Sequence, residues 1–273
     1  MIYEASLLHR MVSALPASMP QVQPEAGYGL PQNISAKGWV IDWLIGITGI
    51  FVILLFVIMV LWMVGACVLY GRKHKAQYDH GSAKGQIITA ITISLVIFAV
   101  VDGNLFYNSM VDVAGTFWNF EYAEAQPNVV RIEINAHQWA WDVRYPGPDN
   151  IFNTADDIVG LNTVHVPVDA PVILQMASVD VIHSLYLPNL RAKMDVVPGA
   201  INRMWFQATK PGAYDMACAQ HCGTNHYKMK GKLIVMPQKD YESWQKEAAA
   251  TAAVAFDPND ATAHWGWPWK KEG

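Results

Sequence analysis

Between Cys218 and Met229 the chain gathers two thiols, an imidazole and a thioether, as Cys218, Cys222, His226 and Met229 at spacings of four, four and three. Soft sulfur donors with imidazole suit copper or zinc, and a weak thioether beside them favours copper. A mononuclear blue-copper site uses one cysteine; two cysteines four residues apart let two thiolates point into one site. A second imidazole is then needed, and His183, in the run Asp180 to Ser184, is the natural candidate. A Cys2His2 zinc site accepts the same four strongest donors but leaves Met229 without a role. In an oxidising compartment Cys218 and Cys222 also have a disulfide open to them. His221, between the cysteines, and His137 and His165 are bystanders in this scheme.

The elements that must position these residues begin with membrane segments. The chain has 273 residues, 52% of them hydrophobic and 15% charged, an unusual balance for a soluble protein. The net charge of −4 and the lack of a basic stripe argue against nucleic acid as a partner. Three cysteines are too few for a disulfide framework, and Cys67 lies in an apolar run where packing is its expected role.

Residues 1–40 form an N-terminal extension. Ile2 to Leu15 could make a short amphipathic helix, and Glu4, His9 and Arg10 interrupt any secretory signal there. Residues 41–70 form a first transmembrane helix, longer than the ~20 residues that cross a bilayer core. Trp43 and Tyr70 suit the interfacial aromatic belt. Residues 71–82, with Arg72, Lys73 and Lys75, form a basic cytoplasmic loop. Residues 83–107 form a second span, with Asp102 expected near its end at the interface. By the positive-inside rule both termini then lie outside, in the periplasm if the organism is a bacterium. Such a chain is a multi-pass protein of the cell inner membrane, in contact with the lipid bilayer.

After a linker over residues 108–127 the pattern changes to period two. Val130, Ile132 and Ile134 alternate with Arg131, Glu133 and Asn135, as in a half-buried strand with the polar residues outward. Similar runs at Pro171–Met176, Arg203–Gln207 and Lys232–Met236, divided by Pro-Gly turns, predict an all-β sandwich or barrel over residues 128–237. The oxygen-rich stretch Asp149 to Asp157 lacks the spacing of an EF-hand loop and reads as a solvated turn. Residues 238–273 form a tail, with an Ala-rich helix and an aromatic end (His264 to Lys270) expected to pack on a partner.

The motif C-x-x-x-C-G-x-x-H-x-x-M behind D-V-x-H-S resembles the binuclear copper (CuA) loop of cytochrome c oxidase subunit II. His137 to Trp141 resembles the aromatic segment of that family, and Lys193 to Gly199 its later loop. The resemblance runs from Ile41 to about Pro237, behind two spans, and narrows the β domain to a cupredoxin-like sandwich. It implies that Cys218 and Cys222 bridge two copper ions, that His183 and His226 each cap one, and that Met229 and the backbone carbonyl of Gln220 complete the set. It further implies that electrons enter from a c-type cytochrome at Trp139, with Asp180 helping to dock that donor. They would leave for a haem in a haem-copper catalytic subunit I, held with other oxidase subunits, where oxygen is reduced. This chain, without haem-ligating histidines in its spans, is then a non-catalytic electron-transfer subunit. A nitric-oxide-reducing relative with the same copper domain and a membrane-anchored copper carrier are the alternatives.

Three departures qualify the resemblance. Gln220 stands where the family usually has a glutamate reaching magnesium, and an uncharged amide is a poorer ligand for that hard cation, which weakens the case for magnesium. Gly85 and Gln86 replace a carboxylate near a proton pathway, so proton uptake through this subunit is not expected. Ala140 replaces an aromatic residue common between the two tryptophans.

Overall fold

The computed structural model describes residues 29–255, apart from 73, 76, 77 and 155. It divides into a helical unit, Trp39–Trp118, and a β unit built from the chain on either side of it. The helical unit opens with α1 (Trp39–Leu69), none of whose residues is buried by the rest of the chain. Apolar side chains on every face without protein cover suit a helix solvated by lipid. The second helical run comprises α2 (Lys84–Ile97), a π-helical turn (Phe98–Asp102), α3 (Gly103–Asp112) and a further π turn (Val113–Phe117). Both runs are long and apolar enough to cross a membrane. The second does not stop near Asp102: that residue sits in the first π turn, and helix continues through positions that the sequence suggests are linker. Asn104, Asn108 and Asp112 make the stretch look like a helix end, yet Asn108 is accommodated by donating to the Asn104 carbonyl one turn back, at 2.8 Å.

After the second helical run the β unit resumes with a short helix, α4 (Phe120–Glu124), followed among the described residues by ten strands. One sheet contains β1 (Val130–His137), β2 (Ala140–Tyr145), β3 (Ile158–Leu161), β5 (Pro171–Ser178) and β8 (Asn202–Gln207), in the order β3-β2-β1-β5-β8. The other contains β4 (Thr163–Pro167), β6 (His183–Leu187), β7 (Ala192–Val196), β9 (Gly212–Cys218) and β10 (Lys230–Met236), in the order β4-β10-β9-β6-β7. Ile132, Ile134, Val143, Leu174, Leu185, Met216 and Leu233 belong to one buried cluster that fills the sandwich. Mixed pairing, with β1 parallel to β5 and antiparallel to β2, brings the end of β1, the end of β5 and the start of β2 to the same end of that sheet.

Strand β1 departs from simple alternation. Glu133 and Asn135 are buried rather than turned to solvent. β1 sits centrally between β2 and β5, and its second face is covered by the connection that follows β2. Within β2, Arg144, fully buried, donates to Glu133 at 2.5 and 2.9 Å and to Asn153 of that connection at 2.7 Å, with Asp157 3.6 Å away. The Asp149–Asp157 stretch is a turn organised by its own side chains: Asp149 accepts from the Ile151 N–H and Asp157 from the Asn153 N–H, both at 2.8 Å.

Two segments outside the strands also belong to this core. Ile34 is fully buried, and its backbone pairs with Asn189 and Thr209, so residues just before α1 are fastened to the sandwich. The tail helix α5 (Gln238–Ala255) packs on its own domain rather than waiting for a partner: Trp244 stacks on His165 with ring centroids 4.4 Å apart, and Tyr241 is buried. The aromatic run from His264 and the N-terminal stretch Ile2 to Leu15 lie outside the described residues.

Removing one partner of a buried ion pair strands the other charge, at a cost of about 3–5 kcal/mol. Arg144→Ala is therefore expected to lower unfolding free energy by about that amount, read as a reduced denaturant midpoint with an unchanged slope. A loss within error of zero would show that Glu133 is not held by this pair.

Candidate metal centre

Three connections at one end of the sandwich, β1–β2, β5–β6 and β9–β10, build the site. The β9–β10 connection carries Cys218 at the end of β9, then Gln220, Cys222, a one-turn helix at His226–Lys228, and Met229 just before β10. Its two ends are clamped, since Cys218 N–H donates to the Met229 carbonyl at 3.1 Å. His183 opens β6, whose Leu185 faces Cys218 in the ladder, so an imidazole from a neighbouring strand reaches the loop.

All six sequence-predicted ligands converge. The ligand atoms of His183, Cys218 and Cys222 lie within 4.8 Å of one another. The sulfurs of Cys218 and Cys222 are 3.8 Å apart as free thiols, and the Gln220 carbonyl is 3.2 Å from Cys218 Sγ. His226 Nδ1 lies 3.5 Å from Cys222 Sγ; Met229 Sδ lies 3.7 Å from Cys222 Sγ and 3.1 Å from His183 Nδ1. Cys222, Met229 and His183 are buried, whereas Cys218 is half-buried.

The electrostatics set the two thiols apart. Burial opposes ionisation of Cys218, but contacts from His183, the Ser184 and Gln220 backbones and Cys222 outweigh it and lower its pKa to about 6. Burial, and then the neighbouring Cys218 sulfur, push Cys222 up to about 12. His183 is disfavoured as a cation by burial, yet Cys218 and Asp180 together hold its pKa above the ordinary value. One thiolate forms easily; the second needs a positive charge supplied from elsewhere. Two sulfurs, two imidazoles and a thioether in this arrangement fit a soft metal.

Several supporting residues were not evident in the sequence. The Cys222 carbonyl accepts from Gln138 Nε2 at 2.8 Å and from the Trp139 indole at 3.1 Å, so the β1–β2 turn grips the ligand loop. Gly223, at φ +120°, permits that approach, because a Cβ there would meet Gln138 Nε2 at 2.9 Å and the Trp139 ring at 3.1 Å. Asp180 works inward: it accepts from the Gln138 and Val181 N–H groups at 2.6 Å each, and its Oδ1 lies 2.8 Å from His183 Nε2. A carboxylate on Nε2 turns Nδ1 toward the sulfurs, the usual arrangement behind a metal-bound histidine. Trp141 is buried with its ring 6.0 Å from His183, while Trp139 is half-buried at the turn. His137 pairs with Asp142 at 3.4 Å, His165 lies under Trp244, and the His221 ring stands 5.6 Å from that of His226.

Residues 113–236 match the family model described as cytochrome c oxidase subunit II, periplasmic domain. Over these residues the chain is similar to the cytochrome c oxidase subunit II family. The alternative cytochrome c oxidase subunit 2 of Bradyrhizobium diazoefficiens is 32% identical over 157 residues, which are 50% of this chain and 57% of that protein. Cytochrome c oxidase subunit 2 of Alkalihalophilus pseudofirmus is 30% identical over 194 residues, 68% of this chain and 50% of that one. The chain thus spans about half the length of these relatives. Among solved structures, the periplasmic domain of subunit II of cytochrome oxidase from Bradyrhizobium japonicum aligns with TM-score 0.41 and 29% identity, over 45% of this chain and 96% of that one.

Thiolates, not thiols, react with alkylating agents. In the metal-free chain near neutral pH, Cys218 lies above its pKa and Cys222 well below its own. A short iodoacetamide pulse followed by peptide mass analysis is expected to label Cys218 several-fold ahead of Cys222. Equal labelling of both would contradict the asymmetry.

Proposed function

We propose that the chain is the electron-accepting subunit of a membrane-bound haem-copper terminal oxidase, and that its loop holds a binuclear copper centre. The observation that carries this is the convergence of two sulfurs 3.8 Å apart with His183, His226, Met229 and the Gln220 carbonyl around them. Cys218, Cys222, His183, His226, Met229 and the Gln220 carbonyl would hold the ions, with His183 Nδ1 and Met229 Sδ 3.1 Å apart and His226 Nδ1 3.5 Å from Cys222 Sγ. The bound pair supplies one-electron redox chemistry. The protein residues hold donor atoms in place, keep water from Cys222, Met229 and His183, and fix the His183 tautomer through Asp180.

Trp139, whose indole donates to the Cys222 carbonyl, provides the route by which an electron from a c-type cytochrome enters. The electron then passes to a haem in the catalytic subunit, where oxygen is reduced. Two spans return the chain to the side from which it starts, so the connection between them lies on the opposite side of the membrane from the segments that flank them. With the basic residues Arg72 and Lys75 in that connection, the β unit is assigned to the outer, periplasmic side of the cell inner membrane.

Cys218→Ser in the assembled oxidase tests the assignment. A hydroxyl does not replace a bridging thiolate, so oxidation of reduced cytochrome c is expected to fall at least ~100-fold, the scale on which disturbed metal sites lose function. Small redox mediators should still reduce the haems of that variant. Undiminished cytochrome c oxidation would remove Cys218 from the electron path.

A further inference from the structure

The end of the sandwich that holds the ligand loop presents apolar side chains where charge would be expected for a long-range docking surface. The β5–β6 turn exposes Val179, Val181 and Ile182 at 56%, 36% and 43%. That turn is joined directly to the one carrying Trp139, through Val179 N–H to the Ala136 carbonyl at 3.1 Å and Gln138 N–H to Asp180 at 2.6 Å. The three apolar residues therefore stand beside the tryptophan that touches the Cys222 carbonyl. Exposed apolar groups grouped around a functional position mark an interaction site.

The charges at this end are already matched within the domain. Asp180 is held by two backbone N–H groups and His183. Asp142 faces His137 at 3.4 Å, and Asp195 faces Lys193 at 3.0 Å and accepts from Ser184 at 2.7 Å. Lys228 on the ligand loop and Lys230 at the start of β10 are exposed. The acidic stretch Asp149 to Asp157 follows the far end of β2 and so lies at the opposite end of that sheet. A lysine-ringed partner thus finds among the described residues of these turns no carboxylate without an internal counterpart.

We infer that Val179, Val181 and Ile182 form an apolar docking surface beside Trp139 for a c-type cytochrome that presents an uncharged, apolar rim around its haem edge. The inference rests on the function proposed above and specifies the class of donor. Asp180, expected from the sequence to attract the donor, instead positions His183. Docking of this kind depends on desolvation of apolar area at short range and is little affected by salt, whereas charge-steered association falls steeply as ionic strength rises.

The test uses the assembled oxidase with two reduced probes: a lysine-rich cytochrome c and the same protein with its lysines acetylated. The acetylated probe is expected to be oxidised at least as fast as the lysine-rich one. For both, the rate should change less than about threefold between low and physiological salt. Val179→Asp places a carboxylate in the apolar contact and is expected to lower kcat/KM for the acetylated probe about fivefold, with haem reduction by small mediators unchanged. Fast oxidation confined to the lysine-rich probe and collapsing with salt would overturn the apolar surface. Loss of the catalytic subunit when the Val179→Asp complex is purified would overturn it too, by showing that this face is covered inside the oxidase. Failure of both probes while mediators still reduce the haems would instead defeat the reading of the site as an electron acceptor.

Discussion

Two sulfur atoms held 3.8 Å apart on one loop cannot both ionise unless positive charge lies against them. The loop enforces that proximity. Cys218 ends a strand, Cys222 lies beneath the Gln138 and Trp139 donors, and the Met229 carbonyl accepts from Cys218 N–H. Without a cation, the burial of Cys222 and then the neighbouring Cys218 sulfur hold back the second ionisation, which is the asymmetry between Cys218 and Cys222. With a soft cation both charges are neutralised, and the imidazoles and thioether beside them become ligands rather than neighbours.

The rest of the β unit can be understood as support for this enforced geometry. Mixed strand pairing delivers the β1–β2 and β5–β6 turns to the ligand loop, and a sandwich core with fully buried Ile132, Ile134, Trp141 and Leu185 gives those turns a fixed base. Holding donor atoms on turns of a rigid sheet, with a surrounding layer of hydrogen bonds, fixes the geometry of a metal site. Asp180 contributes by locking His183, and Gly223 by leaving room for Gln138 and Trp139. The buried Arg144–Glu133 pair has a more distant part, closing the second face of β1.

The candidate ligands were legible as a group because their chemistry is local. Five of the six lie within one loop, and His183 follows from the need for a second imidazole. The spans were legible from apolar length, and β5, β8 and β10 from period-two runs close to their observed bounds. What the sequence concealed depends on distant contacts. Glu133 looks like an outward residue until Arg144, eleven positions later, is placed against it. Asp180 looks like a free surface charge until the fold puts Gln138 N–H on it across a separation of 42 residues. The second helix continues past Asp102 because polar side chains such as Asn108 satisfy themselves within the helix, a compensation that hydropathy does not register. Ile34 sits in a polar, proline-containing stretch with no periodic signal, so its burial against the sandwich had no local mark.

That Cys218 and Cys222 together hold two copper ions sharing one unpaired electron is tested most directly by metal analysis joined to electron paramagnetic resonance on the copper-loaded chain. Two copper ions per chain are expected, with a hyperfine pattern produced by one spin spread equally over two nuclei. A single zinc ion per chain, or one copper with its spin confined to one nucleus, would contradict a bridged pair.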